Sequence, residues 1–279
     1  MPEGPEIHRA AARIHKALAG KPLESVEFAF EQLKPWERRL RGREVLGVDA
    51  HGKAMLTRFE GGVNLYSHNQ LYGKWYVQRT GKLPRTNRSL RVGLHNDTHS
   101  ALLYSASDVA ILQDPELATH PFLSKLGPEV LDPGVSWQDV AARLREPRFR
   151  RRRLTALLLD QGCLSGLGNY LRSEILFVAR IAPDRRPCDL DVDELEDLAR
   201  AVLTISRRSL RHAGVTNDLD HVRELKAEGW PRWRYRHFVF GRDGEPCHQC
   251  AAPILRLEAG SRRLYVCPSC QRAPELLDG

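Results

Sequence analysis

Four cysteines near the C-terminus constrain the fold more than any other feature of this chain. They stand as Cys247-x-x-Cys250, sixteen intervening residues, then Cys267-x-x-Cys270. Two such knuckles present four thiolates to one tetrahedral Zn²⁺, and a four-sulfur shell leaves no position open for a substrate. One structural zinc ion is therefore expected. Between the knuckles, residues 254–257 and 264–266 alternate like the two strands of a hairpin, with Glu258 to Arg263 at its tip. The other two cysteines, Cys163 and Cys188, read as packing residues. In a reducing compartment, metal binding rather than disulfide formation is the expected use of such thiols.

The remainder of the 279 residues leaves room for two medium domains ahead of this module. The first element reads as a helix: Pro5 suits a first turn, Glu3 and Glu6 suit the positive end of its dipole, and Ile7, Ile14 and Leu18 recur at helical spacing. Seven short alternating segments follow, at 25–30, 43–49, 54–59, 63–67, 74–78, 90–95 and 101–105, separated by turn residues. They predict an antiparallel sandwich or barrel. Residues 126–134 hold two prolines and two glycines and read as a linker. Beyond them the period becomes helical, with Ser136 placed to cap 137–145, an apolar helix around Leu154, Leu157 and Leu158, and further helices at 169–180 and 193–212. The expected class is α+β multidomain: a β-sandwich with an N-terminal helix over 1–125, a linker over 126–134, a helical domain over 135–237 and a zinc hairpin over 238–272.

The charge balance points to a polyanionic partner. Net charge is +8, and basic residues gather in two clusters. One is Arg148 with Arg150 to Arg153; the other, Trp230 to His237, interleaves arginine with aromatic rings. Such segments neutralise phosphates and stack on bases, although a solvated charged face has the same look. No segment reads as a membrane span or a secretory leader, so an intracellular, cytoplasmic protein is expected.

Two further features carry chemistry. The turn from Leu164 to Asn169 holds glycines at Gly166 and Gly168, which permit close approach to a phosphate near a helix N-terminus. Removal of Met1 exposes the secondary amine of Pro2. An α-amino group with pKa near ~8 is roughly one-tenth free base at neutral pH, against roughly one-thousandth for lysine. An uncharged amine attacks the C1′ carbon of a sugar and forms an iminium, which acidifies the C2′ proton and permits strand cleavage by elimination. Glu3 stands beside it as a general acid.

These pieces together resemble the formamidopyrimidine-DNA glycosylase and endonuclease VIII superfamily. The similarity rests on Pro2-Glu3-Gly4-Pro5-Glu6-Ile7, on Leu158-Leu159-Asp160-Gln161 followed by Gly166-Leu167-Gly168-Asn169-Tyr170, and on the four-cysteine ribbon. Within it, Leu65 to Gly73 is similar to the endonuclease VIII branch, which carries a contiguous Gln-Leu-Tyr triad there. The resemblance implies a bifunctional base-excision repair glycosylase and abasic-site lyase that removes oxidised pyrimidines and finishes by β,δ-elimination. It implies Pro2 as Schiff-base nucleophile, Glu3 as acid, Lys53 and Arg262 as phosphate-gripping residues that assist elimination, and Gln70, Leu71 and Tyr72 as the residues filling the gap left by an extruded nucleotide. Asn169 takes a backbone phosphate from a helix-two-turn-helix motif. The choice of Arg262 over its neighbour Arg263 rests on counting five residues back from Cys267. One position departs: where the family has arginine after the β-domain, this chain has Lys125, which keeps the charge and loses the bidentate fork. A monomer acting on damaged double-stranded DNA, without redox or nucleotide cofactor, is expected. The rivals are the formamidopyrimidine branch, acting on 8-oxoguanine, and a non-catalytic zinc-ribbon DNA-binding protein.

Overall fold

A computed structural model describes residues 2–273. The chain divides between Lys125 and Leu126 into two compact units, and each is described by itself.

The N-terminal unit opens with helix α1 (Gly4–Leu18). Glu3 caps it in an extended conformation, and the Glu6 carboxylate accepts the Glu3 N–H at 3.0 Å. Ile7, Ile14 and Leu18 are buried on one face, and the chain leaves the helix through Gly20 at φ +75°. Strand β1 (Ser25–Phe28) and helix α2 (Lys34–Leu40) follow. Then come β2 (Val45–His51), β3 (Ala54–Phe59), β4 (Val63–His68), β5 (Lys74–Arg79), β6 (Leu90–His95), β7 (His99–Tyr104), β8 (Asp108–Gln113) and the short α3 (Asp114–Leu117). They form two four-stranded antiparallel sheets, β1-β6-β7-β5 and β2-β3-β4-β8. Side chains of α1 and of both sheets share one core, including Ile14, Phe28, Met55, Phe59, Leu65, Trp75 and Leu103. This is the expected sandwich with its helix. A smaller cluster, Ala54, Leu56 and Tyr66 beneath Phe122 and Leu123, covers a second face of the β2-β3-β4-β8 sheet.

The C-terminal unit begins with the stretch read as a linker, which is packed rather than free. Val130 and Leu131 are buried, and the Gly127 and Ser165 N–H groups bond across to Gln161 and Pro128 carbonyls at 2.9 Å each. Helix α4 (Trp137–Arg145) is capped as expected, Ser136 Oγ accepting the Asp139 N–H at 3.2 Å. Helices α5 (Leu154–Leu157), α6 (Asn169–Val178), α7 (Val192–Arg211), α8 (Leu219–Ala227) and α9 (Arg232–Tyr235) precede the hairpin β9 (Leu255–Ala259) and β10 (Arg262–Val266). Leu144, Leu171, Ile175, Leu198, Val202, Leu264 and Val266 belong to one core, so the zinc hairpin is welded to the helices. Helices α8 and α9, absent from the sequence reading, close a small core of their own from Val215, Val222, Leu225 and Tyr235. Among the described residues, no helix is long and apolar enough to cross a membrane.

Candidate active site and zinc centre

In the N-terminal unit, Pro2 leads directly into Glu3, which is only 2 % exposed. The carbonyl of Glu3 accepts the Glu6 and Ile7 N–H groups at 3.0 and 3.1 Å, so the start of α1 fixes its backbone. Lys53 lies in the two-residue turn Gly52-Lys53 between the paired residues His51 and Ala54. Gly52 takes φ +60°, the left-handed value that the first central position of a type II′ hairpin turn requires. Lys53 is 8 % exposed. A buried acid and a buried lysine are costly for a fold to keep unless they are hydrogen-bonded or paired, and both are held at the ends of regular elements.

Sequence reasoning missed the group beside Lys53. His68 ends β4 opposite Ala54 in register. Burial holds its pKa below the ordinary imidazole range; the Lys53 charge pushes the same way, and Asp108 opposes both. His68 Nδ1 accepts the Gln70 N–H at 3.2 Å, so the neutral ring carries its proton on Nε2. The fully buried Tyr66 reaches Asp108 with its hydroxyl at 3.4 Å, and burial and that carboxylate raise its pKa. The available signal was the alternation of Tyr66 and His68 along one face of β4.

The segment from Gln70 to Tyr72 forms an exposed loop tip between buried anchors. Asn69 is 6 % exposed, while Leu71 and Tyr72 are 57 % and 68 % exposed. The Gly73 N–H closes the turn onto the Asn69 carbonyl at 2.7 Å, and a Cβ on Gly73 would fall 2.5 Å from that oxygen. Gln70 sits at φ +49°, held by Ser107, whose hydroxyl donates to Gln70 Oε1 at 2.7 Å. The Arg88 guanidinium holds the Tyr72 carbonyl. Two large apolar side chains are thus projected into solvent by a rigid turn. Lys125 is exposed, in the 3₁₀ turn Leu123–Lys125.

In the C-terminal unit, the Gln161 side chain staples the turn between α5 and α6. Its carbonyl accepts the Gly166 N–H at 3.0 Å, and its amide donates to the Leu167 carbonyl at 2.9 Å. Gly166 takes φ +94° and has Glu129 where a Cβ would stand. Asn169 opens α6. Its Nδ2 donates to the Arg263 carbonyl at 2.8 Å, and its Oδ1 accepts from Arg172 at 2.7 Å. Arg172, 1 % exposed, also donates to the Thr155 and Arg263 carbonyls at 2.7 and 3.2 Å. The helix pair and the hairpin are therefore locked together at Asn169. An amide has two N–H donors, so the reading of Asn169 as a phosphate ligand rests on its second.

At the hairpin tip, Ala259 pairs with Arg262 across the two-residue turn Gly260-Ser261, with Gly260 at φ +67°. Successive side chains of a strand point to opposite faces. Arg262 lines a groove of about 520 Å³ together with Arg153, Thr155, Leu159 and Arg172. Arg263 is exposed and offers its backbone carbonyl to Asn169.

The four cysteine sulfurs lie within 4.8 Å of one another. Cys247 and Cys270 are 3.9 Å apart, and Cys250 and Cys267 3.5 Å. A tetrahedron with Zn–S bonds of ~2.3 Å has sulfur–sulfur edges of roughly 3.8 Å, so the donor set fits one zinc ion. Glu174 supports this module from α6. Fully buried, its carboxylate accepts the N–H groups of Phe238, Val239 and Phe240 at 2.7, 2.9 and 2.9 Å and the Thr216 hydroxyl, while burial raises its pKa. Nothing in its sequence neighbourhood marked Glu174 out.

Two expectations need correction. Cys163 is buried but Cys188 is exposed, so only the first is a packing residue. The segment from Trp230 to His237 is only half a surface. Tyr235 and His237 are buried, Arg234 pairs with Glu245 at 2.5 Å and stacks 4.5 Å from the Trp230 ring centre, and Trp233 alone of the two tryptophans is largely exposed, at 57 %.

Comparison with known proteins follows the same modules. Residues 1–107 match the formamidopyrimidine-DNA glycosylase N-terminal domain, 126–220 the formamidopyrimidine-DNA glycosylase H2TH domain, and 244–273 the zinc finger found in FPG and IleRS. Endonuclease 8 of Escherichia coli is 47 % identical over 271 residues, covering 97 % of this chain and all of that protein. Endonuclease 8 of Salmonella agona is 47 % identical over 272 residues, covering 98 % and 100 %. Among solved structures, Lactococcus lactis Fpg bound to DNA containing an oxidised pyrimidine superposes with TM-score 0.79 at 20 % identity, over 97 % of this chain and 100 % of that one. The same enzyme bound non-covalently to abasic-site DNA gives 0.80 at 19 %, over 97 % and 99 %.

Proposed function

The chain belongs to the formamidopyrimidine-DNA glycosylase and endonuclease 8 family, and from that premise we propose that it is a base-excision repair glycosylase and abasic-site lyase for oxidised pyrimidines in double-stranded DNA, acting as a monomer. The observation that carries this reading is the pairing of Pro2 with a buried Glu3 at the fixed start of α1.

The chemistry follows from that pairing. With Met1 removed, the Pro2 nitrogen donates its lone pair to C1′ of the damaged nucleotide. The C1′–base bond breaks and the base leaves with its electron pair; Glu3 supplies a proton as the ring opens. The product is an iminium between Pro2 and C1′. Loss of a C2′ proton to a base sends electrons toward that cation and expels the 3′ phosphate; a second elimination expels the 5′ phosphate. A one-nucleotide gap with phosphates at both ends remains. Lys53, Asn169 and Arg262 hold backbone phosphates, and Lys125 adds charge; these contacts position without reading sequence. Gln70, Leu71 and Tyr72 occupy the space that the extruded nucleotide vacates, offsetting lost stacking. Zinc supplies folding energy to the hairpin that carries Arg262, and no step passes through it.

The exposed Leu71 and Tyr72 on one rigid tip favour oxidised pyrimidines over the 8-oxoguanine reading, because this contiguous triad marks the endonuclease VIII branch. Cleavage of a thymine-glycol duplex should exceed that of an 8-oxoguanine:cytosine duplex at equal enzyme. The reverse order would assign the chain to the other substrate class.

A further inference from the structure

The arginine cluster ahead of α5 is larger in space than in sequence. The Leu154 N–H donates to the Arg185 carbonyl and the Cys188 N–H to the Arg150 carbonyl, both at 2.9 Å. Two segments more than thirty positions apart thus lie side by side. Together they carry Arg150 to Arg153 and Arg185 with Arg186. Two of the six are neutralised within the fold: Arg152 by Asp160 at 2.5 Å, Arg185 by Glu194 at 3.0 Å. The other four, Arg150, Arg151, Arg153 and Arg186, are exposed, and among the described residues none makes an ion pair. The acids nearby form no ion pair with these four: Asp189 accepts the Arg186 backbone N–H at 2.9 Å, and Asp184 and Glu258 line the groove.

Like charges on neighbouring segments repel one another, so a fold keeps four unpaired guanidiniums there most readily where an anion joins them. One of the four also adjoins the phosphate site proposed above. Arg153 lines the same groove as Arg262 at the hairpin tip. Guanidinium forks match phosphate oxygens in a bidentate way, and a row of them matches a run of phosphates.

We propose that Arg150, Arg151, Arg153 and Arg186 form a phosphate track that grips the backbone of duplex DNA flanking the lesion, extending the contact made by Arg262. This rests on the reading of the chain as a DNA-repair enzyme. The track is independent of base sequence and of damage, so its effect is on search and retention rather than on the chemical step.

The test is the salt dependence of equilibrium binding to an undamaged duplex. It compares the parent, a variant with all four arginines changed to glutamine, and one with all four changed to lysine. Each phosphate neutralised contributes about 0.9 to the slope of log affinity against log salt. The glutamine variant should lose roughly three to four units of slope and the lysine variant should keep them. An unchanged slope in the glutamine variant overturns the proposal. Borohydride trapping on lesion DNA at low salt, run on the same proteins, separates the two readings. A parent that traps while the slope does not move keeps the enzyme and removes the track; a parent that fails to trap removes the enzymatic reading whatever the slope.

Discussion

The side-chain amide of Asn169 donates a 2.8 Å hydrogen bond to the backbone carbonyl of Arg263, 94 positions away. One residue opens the second helix of the helix-two-turn-helix motif and the other lies in the zinc hairpin. The proposed phosphate ligand is thereby oriented by the metal module.

Zinc removal should therefore reach Asn169 as well as Arg262. Structural zinc sites carry ~10–16 kcal/mol of apparent binding energy, which the folded hairpin depends on. Chelation, or Cys250→Ser, should release one zinc per chain and lower affinity for lesion DNA by more than about tenfold. The melting of the N-terminal unit should stay in place. Full DNA affinity in a zinc-free protein would separate Asn169 and Arg262 from the metal.

Lys53 is held by a type II′ turn and buried beside His68. A charge-assisted hydrogen bond to phosphate contributes ~1.5–3 kcal/mol. Lys53→Ala should slow strand cleavage by roughly ten- to a hundredfold, with zinc content unchanged. Wild-type cleavage by this variant would remove Lys53 from the site.

Leu71 and Tyr72 act only if there is a stack to fill. Leu71→Ala should slow cleavage of a fully paired lesion duplex and spare a lesion in single-stranded DNA, where no gap opens. Equal slowing on both substrates would assign Leu71 to something other than wedging. Gly73→Ala should behave like Leu71→Ala, because its Cβ would strike the Asn69 carbonyl that closes the tip.

His68 gives a pH dependence with a defined sign. Burial, reinforced by the Lys53 charge, lowers its pKa in the folded state. Below the ordinary imidazole value of ~6.5, the unfolded chain binds the proton that the folded chain resists, so acidification destabilises the N-terminal unit. The loss begins as pH falls through that value and is complete below the folded pKa. Melting temperatures compared at about pH 7.5 and about pH 5.5 should fall less for His68→Gln than for the parent. An identical fall in both proteins would place the acid sensitivity elsewhere.

Much of this architecture was legible because each motif carries its own local physics. The cysteine knuckles fix a metal, Gly52 and Gly260 fix two tight turns, and period-two alternation fixes seven of the eight strands in the sandwich. The eighth, β8, was missed because Asp108 to Gln113 is half-buried throughout and gives no alternation. Helix α2 was missed because seven residues rich in charge show no apolar stripe. The candidate site could be named where a motif carries the residue, as for Pro2, Lys53 and the Gln70 loop, whose roles are proposals. It was illegible where long-range pairing creates the environment. His68 acquires its character from burial and from Asp108 and Lys53, Glu174 from three amides more than sixty positions away, and Arg186 comes beside 150–154 through the backbone bonds of Arg185 and Cys188.

The most direct test of the central claim is borohydride trapping on a duplex with one thymine glycol, with the modified residue located by mass spectrometry after the free Pro2 terminus is verified. The account predicts a covalent adduct on Pro2, lost when Pro2 is replaced by glycine carrying a retained Met1. An adduct on a lysine, or no adduct on either thymine-glycol or abasic-site DNA, would contradict it.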